Sequence, residues 1–187
     1  MSLEGALIEY ASPTLAGLKP ASLFRYQFKD TRRFALEFKG WREYLSSRGL
    51  QLRILKRCSR GGGYLLYLYR VHDLQATLTE PGNRAFLRKQ GYPDDGDVRG
   101  NLFQLAERLC LSEEFPHEIG VFLGYPLEDV EGFICNKGKN YTCCGCWKAY
   151  GDPQAARRTF ARYRACTNTY RERYHGGTPV TRLVVAA

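Results

Sequence analysis

The sequence predicts one α+β domain spanning residues 1–187: a mixed β-sheet of about five strands with packed α-helices and a long basic C-terminal helix. Three observations carry this reading. A hairpin-like pair of β runs stands near residues 50–58 and 64–70. Helical apolar periods recur before and after it, and the last helix-like segment is long and arginine-rich, which does not suit a doubly wound repeat of strand and helix. At 187 residues the chain is long enough for one domain with a substantial core.

Taken in order, residues 1–20 read as a loop-rich N-terminal segment, because Pro13, Gly17 and Pro20 discourage continuous helix. Thr14 and Lys19, with Ser12 and Ser22, place hydroxyls and a cation beside a glycine turn, a composition able to hold an anion. The spacing is not that of a P-loop. LFRYQF at residues 23–28 is a short strand. Phe34, Phe38, Trp41 and Leu45 then share one face of a helix over residues 31–48, with Gly49 as its stop. Gly40 inside that helix is expected to mark a close crossing. The hairpin follows, joined through Ser59-Arg60-Gly61-Gly62-Gly63. Its second strand, YLLYLYR, is apolar on both faces and is placed centrally.

Residues 71–91 read as mostly helical with a break at Pro81-Gly82; His72 directly after the strand reads as structural. A loop at residues 91–96 leads to Asp97, which caps a helix to residue 111. Residues 118–125 are too short for periodicity to decide between strand and short helix. Pro126 opens an apolar helix closed by Asn136-Lys137-Gly138, and residues 141–150 read as strand or extended chain. Asp152-Pro153 opens the last helix, residues 153–175. Projected at about 100° per residue, Phe160, Tyr163, Cys166, Tyr170 and Tyr174 share its docking face. Arg157, Arg164 and Arg171 flank that face on one side, Arg158, Arg162 and Arg173 on the other. Residues 183–185 suggest one more short strand.

The formal net charge is +9, which suits an anionic partner: a small molecule or cofactor, or nucleic acid. Seven cysteines without a leader point to a reducing, cytoplasmic setting. No window approaches the ~18 apolar residues of a membrane span, so no membrane partner is expected.

Residues 115–150 concentrate the chemistry. Cys143 and Cys146 form a C-x-x-C, with Cys135 upstream and Cys166 downstream. Four thiolates can hold zinc or an iron–sulfur cluster, but this spacing is not a standard ligand set. Thiols without metal are the favoured reading, with the four-cysteine site as its alternative. His117 and Glu118 offer an imidazole and a carboxylate at the mouth of an apolar segment, without the second histidine of HExxH. The lipase, Rossmann and P-loop signatures are missing, as are the C2H2 finger and the RNA-recognition aromatic motif.

The run FPHEIGVFLGYPLEDVEGFICNKGKNYTCCGCWKAYGD resembles the signature of the bacterial domain-of-unknown-function family DUF3793. PTLAGLKPASLF, LLYLYR and the Gly91-Tyr92-Pro93 turn extend the resemblance over nearly the whole chain. The family motif carries His and Cys just before Pro-Thr-Leu, where this chain has Tyr10 and Ala11, and an aromatic is common at the place of Cys146. The resemblance implies no activity. It shifts weight from the cysteines to His117, Glu118 and the Gly124-Tyr125-Pro126 turn.

Two functions follow as expectations. The first is small-molecule or cofactor binding, with a redox or transfer role, in a pocket between residues 13–22 and 116–125. Thr14, Lys19, His117, Glu118 and Tyr125 would line it, with Trp147 nearby; the cofactor, the catalytic residues and whether there is an enzyme at all stay unassigned. The second is nucleic-acid binding through Arg157, Arg164 and Arg171. A structural role in a protein complex is the remaining alternative.

Overall fold

The strand YLLYLYR lies at the centre of a three-stranded antiparallel sheet, as its two-sided apolar pattern predicts. In a computed structural model that describes residues 1–58, 62–94, 96–112 and 114–187, it is β3 (Tyr64–Arg70). Its neighbours are β1 (Ala21–Tyr26), with Ala21 opposite Tyr69, and β2 (Leu50–Arg57), with Leu50 opposite Arg70. The β2 register shifts between Ile54 and Lys56, leaving Leu55 as an extra residue. Ser59, Arg60 and Gly61 of the expected glycine turn lie outside the described residues, as does Asp95 of the later loop.

The chain, read from its length as one domain, forms two compact units. The first comprises Met1–Asp73 and Cys166–Ala187. One face of its sheet presents Phe24, Tyr26, Leu50, Leu52, Leu66 and Leu68, alternate positions on each strand. These residues join a core with helix α1 (Leu3–Leu15) and helix α2 (Thr31–Ser46).

Helix α1 corrects the expected loop-rich N-terminus. Ser2 caps it by accepting from the Gly5 N–H at 3.1 Å. Leu3, Leu7, Ile8, Ala11 and Leu15 are all buried. Pro13 falls in the last turn, where it breaks little of the ladder. Burial of five apolar side chains, about 1.5–3 kcal/mol for each large one, outweighs the local preferences of Gly5 and Pro13. Helix α2 is capped by Asp30, whose carboxylate accepts from the N–H groups of Arg32 and Arg33. Phe34 and Leu45 are buried, while Trp41 and Phe38 pack half-buried against the core. Gly40 marks no crossing: a Cβ there would meet nothing within 4 Å.

The second unit, Leu74–Ala165, is mainly helical. Helix α3 (Val71–Thr79) carries the chain into it, and α4 (Pro81–Lys89) follows after the expected break. Asp97 caps α5 (Val98–Leu111) through the N–H groups of Arg99 and Gly100. The undecided stretch after Pro116 is a single helical turn, α6 (Ile119–Phe122), and α7 (Leu127–Cys135) comes next. β4 (Cys143–Cys144) and β5 (Lys148–Ala149) form a two-stranded hairpin. Among the described residues the five strands thus make two antiparallel sheets, not one mixed sheet.

Helix α8 (Pro153–His175) is the long basic helix expected. Phe160 and Tyr163 are buried, and in the first unit Tyr170 and Tyr174 pack on the core. Residues 183–185 follow a 3-10 turn, Val180–Arg182, and are not a strand. The C-terminal segment is held by side chain and backbone together. The Val185 N–H donates to Leu15 O, and buried Arg70 donates to the carbonyls of Val185 and Ala186 at 2.9 and 2.8 Å.

Candidate functional site

In the second unit, two polar groups, one buried and one half-buried, converge on buried Glu118. The Tyr92 hydroxyl donates to Glu118 Oε1 at 2.9 Å, and Arg108 Nη1 donates to the same oxygen at 2.8 Å. The Arg108 guanidinium lies 4.6 Å over the Tyr92 ring and also donates to Gln90 O. Burial above all, then the adjacent Glu118 carboxylate, pushes the Tyr92 hydroxyl far above its ordinary value, so it stays a donor. Glu118 is therefore internal glue between α5, the Gly91-Tyr92-Pro93 turn and α6. His117, its neighbour, points elsewhere: it is exposed, with its ring 4.8 Å from that of Phe133.

Tyr125 and Trp147 do come together, stacked at 4.7 Å with a 23° interplanar angle. Phe160 meets Trp147 edge-on at 4.5 Å. The Trp147 indole N–H donates to Asp129 Oδ2 at 2.7 Å. The other oxygen of this buried carboxylate accepts from the backbone N–H groups of Tyr150 and Gly151. Burial pushes the Tyr125 hydroxyl up to about 12, helped by nearby Cys146 and Tyr163. Gly145 lets the hairpin turn lie on the Phe160 ring, which a Cβ would strike. The stack packs on α8 beneath the hairpin turn, with the Trp147 indole N–H and both Asp129 oxygens hydrogen-bonded.

No disulfide forms among the described residues, which include all seven cysteines. Cys143 is buried, Cys135 and Cys146 are exposed and Cys166 is half-buried. Among the described residues no group of three or more His, Cys, Asp or Glu is arranged to hold a metal.

The remaining predicted residues lie apart from these. Thr14 and Lys19 belong to the first unit, so the two segments expected to face one pocket fall in different units. Thr14 is inside α1, buried, with its hydroxyl 2.8 Å from that of Ser22. Lys19 is half-buried in the turn beyond α1. Arg157 and Arg164 are exposed on α8, whereas Arg171 is bound by the Glu9 carboxylate, with Nε to Oε2 at 2.7 Å. That guanidinium holds the Glu9 carboxyl below its ordinary value.

Two of the open clefts of the first unit adjoin Phe28, two residues past the end of β1. The Phe28 ring stacks on Phe34 at 4.4 Å and 8°, and lies 5.2 Å from Tyr64. A cleft of about 560 Å³ on one side is lined by Tyr26, Phe28, Lys29, Asp30, Arg33, Phe34 and Glu37 among others. A second, of about 620 Å³, is lined by Phe28, Thr31, Arg57, Cys58, Gly62, Gly63 and Tyr64.

Charge is distributed unevenly between the two clefts. In the first, Asp30 is engaged in capping α2 and Arg33 pairs with Glu37 at 2.8 Å, leaving Lys29 exposed. In the second, Arg57 is the one charged side chain among the described lining residues. Gly63, at φ +90°, brings the hairpin close under Tyr26 O, where a Cβ would collide.

Sequence reasoning missed Phe28 and Arg57. The available signal was an aromatic set between Gln27 and Lys29, outside the strand and ahead of the helix cap. Asp129, Tyr92 and Arg108 were missed because their partners are distant in sequence.

A family model described as "Protein of unknown function (DUF3793)" matches residues 7–184. A search of curated proteins found no match, and neither did a search of solved structures.

Proposed function

The chain belongs to the DUF3793 family, and we propose that it is a small-molecule-binding protein whose ligand is flat, largely apolar and anionic. The observation that carries this is the half-buried Phe28 ring, shared by two clefts with Lys29 in one and Arg57 in the other. Ligand sites are typically concave, mostly apolar and ~300–1,000 Å³ in volume, with a few polar groups that fix orientation. An aromatic ligand would stack beside Phe28 and Tyr64. Its anionic group would turn towards Arg57, where no carboxylate among the described lining residues competes for the cation. The Thr31 hydroxyl and the Cys58 thiol supply further donors in the same cleft.

The signature residues of the second unit would then act as scaffold. Glu118, Asp129 and Trp147 are consumed by internal hydrogen bonds, which supports a stabilising role for that stretch in place of the pocket-lining one expected from the sequence.

A thermal-shift panel of aromatic carboxylates, sulfonates and phosphates tests the reading. Stabilisation by flat anions, weak or no response to flat cations, and loss of the response in R57E are expected. Equal responses in wild type and R57E would contradict it.

A further inference from the structure

We propose that helix α5 is the contact face of a symmetric dimer, its partner a second copy of this chain. The helix buries Val98, Leu102, Leu105 and Leu109 and turns Arg99, Phe103 and Glu107 outward. Phe103 is 67% exposed, a phenyl ring left in water on a helix whose inward face is already filled. Residues four apart are neighbours on a helix surface. Arg99, Phe103 and Glu107 therefore stand in line as cation, ring and anion.

That order is self-complementary about a two-fold axis. With the axis through Phe103, two α5 helices run antiparallel and Phe103 packs on Phe103 of the second copy. Each Arg99 then faces a Glu107 across the interface. A two-fold contact uses the same patch on both sides, so one stripe has to satisfy itself. A parallel pairing would set Arg99 against Arg99 and Glu107 against Glu107. The charges thus select the antiparallel arrangement, and the rings supply the apolar centre that excludes water. Leu111, 79% exposed, lies roughly 80° round the helix from Phe103 at 100° per residue, so it flanks the stripe. One helix face per copy is a small contact, of the transient class below about 1,200 Å² in total.

Sedimentation equilibrium of the full chain, taken to millimolar concentration under reducing conditions, tests this; the reductant prevents cross-linking through exposed Cys110. The wild type is expected to show a concentration-dependent monomer–dimer equilibrium. F103E, a change at an exposed position that leaves folding intact by circular dichroism, raises the dissociation constant at least about 30-fold, the loss expected of a hot-spot side chain. R99E and E107R each set like charges against one another and stay monomeric alone. Mixed in equal amounts they form a heterodimer, because both cross-pairs become opposite in charge again. A wild type that stays monomeric at millimolar concentration overturns the proposal. So does a dimer that survives F103E, or a mixture of R99E and E107R that stays monomeric.

Discussion

The carboxylate of Asp129 accepts the indole N–H of Trp147 at 2.7 Å and, through its other oxygen, the backbone N–H groups of Tyr150 and Gly151 at 2.6 and 2.9 Å. One side chain from the first turn of α7 thus closes the hairpin β4–β5 and fixes the ring that stacks on Tyr125. Replacing it leaves three donors short of a partner. Asp129→Ala is expected to lower stability by about 3 kcal/mol, in keeping with hydrogen bonds to a charged group and the penalty for buried unsatisfied donors. Trp147→Phe removes one donor and costs less. Urea unfolding midpoints check the order; equal effects of the two changes would contradict it.

Glu118 is expected to behave as a structural carboxylate. Glu118→Gln weakens the charge-assisted bond from Arg108, and a loss of about 1–3 kcal/mol in unfolding free energy should follow. His117→Ala, at an exposed position, should change stability by less than about 0.5 kcal/mol. Denaturant titrations of both variants separate these outcomes.

Arg70 ties the end of the chain to the central strand through the carbonyls of Val185 and Ala186, and pairs with Asp73 at 2.9 Å. In Arg70→Ala the Val185 and Ala187 amides, bonded to Leu15 O and Arg48 O, should exchange with solvent faster. Arg70→Lys keeps the charge but loses the planar fork, so it should rescue only part of the protection. Amide hydrogen exchange read by mass spectrometry measures both.

Stability should fall in alkali. Tyr125 holds its proton up to about 12 when folded, against about 10 for an exposed tyrosine in the unfolded chain. Between these values the unfolded state has released a proton that the folded state keeps. The stabilisation is therefore full below pH of about 10 and is lost as pH rises towards about 12. Tyr26, Tyr163 and Tyr170 shift in the same direction, chiefly through burial. Tyr125→Phe should flatten the fall in urea midpoint over that range, and an unchanged slope would contradict the assignment.

Local rules read much of the fold correctly. Asp97 caps the helix it was placed before, the break at Pro81 is real, and YLLYLYR is central because both its faces are covered. Helix α1 was missed because Pro13, Gly17 and Pro20 were weighed as breakers, whereas the buried stripe of Leu3, Leu7, Ala11 and Leu15 decides. The site was harder to read. Tyr125 and Trp147 stack on one another, and the pairings Tyr92–Glu118 and Asp129–Trp147 join residues 26 and 18 positions apart. Those depend on tertiary packing that no local spacing encodes. Phe28 looked like the end of a strand, and only the return of β3 beside β1 brings Tyr64 and the hairpin to it.

The most direct measurement of the binding claim is a fluorescence titration with anilinonaphthalene sulfonate, a flat apolar anion, on wild type, F28A and R57E. R157E serves as a control for general surface charge. Saturable one-to-one binding to wild type and R157E, weakened at least about tenfold in both F28A and R57E, is the result expected of a ligand held beside Phe28 and Arg57. Binding of unchanged affinity in F28A and R57E would contradict the account, as would no saturable binding to the wild type.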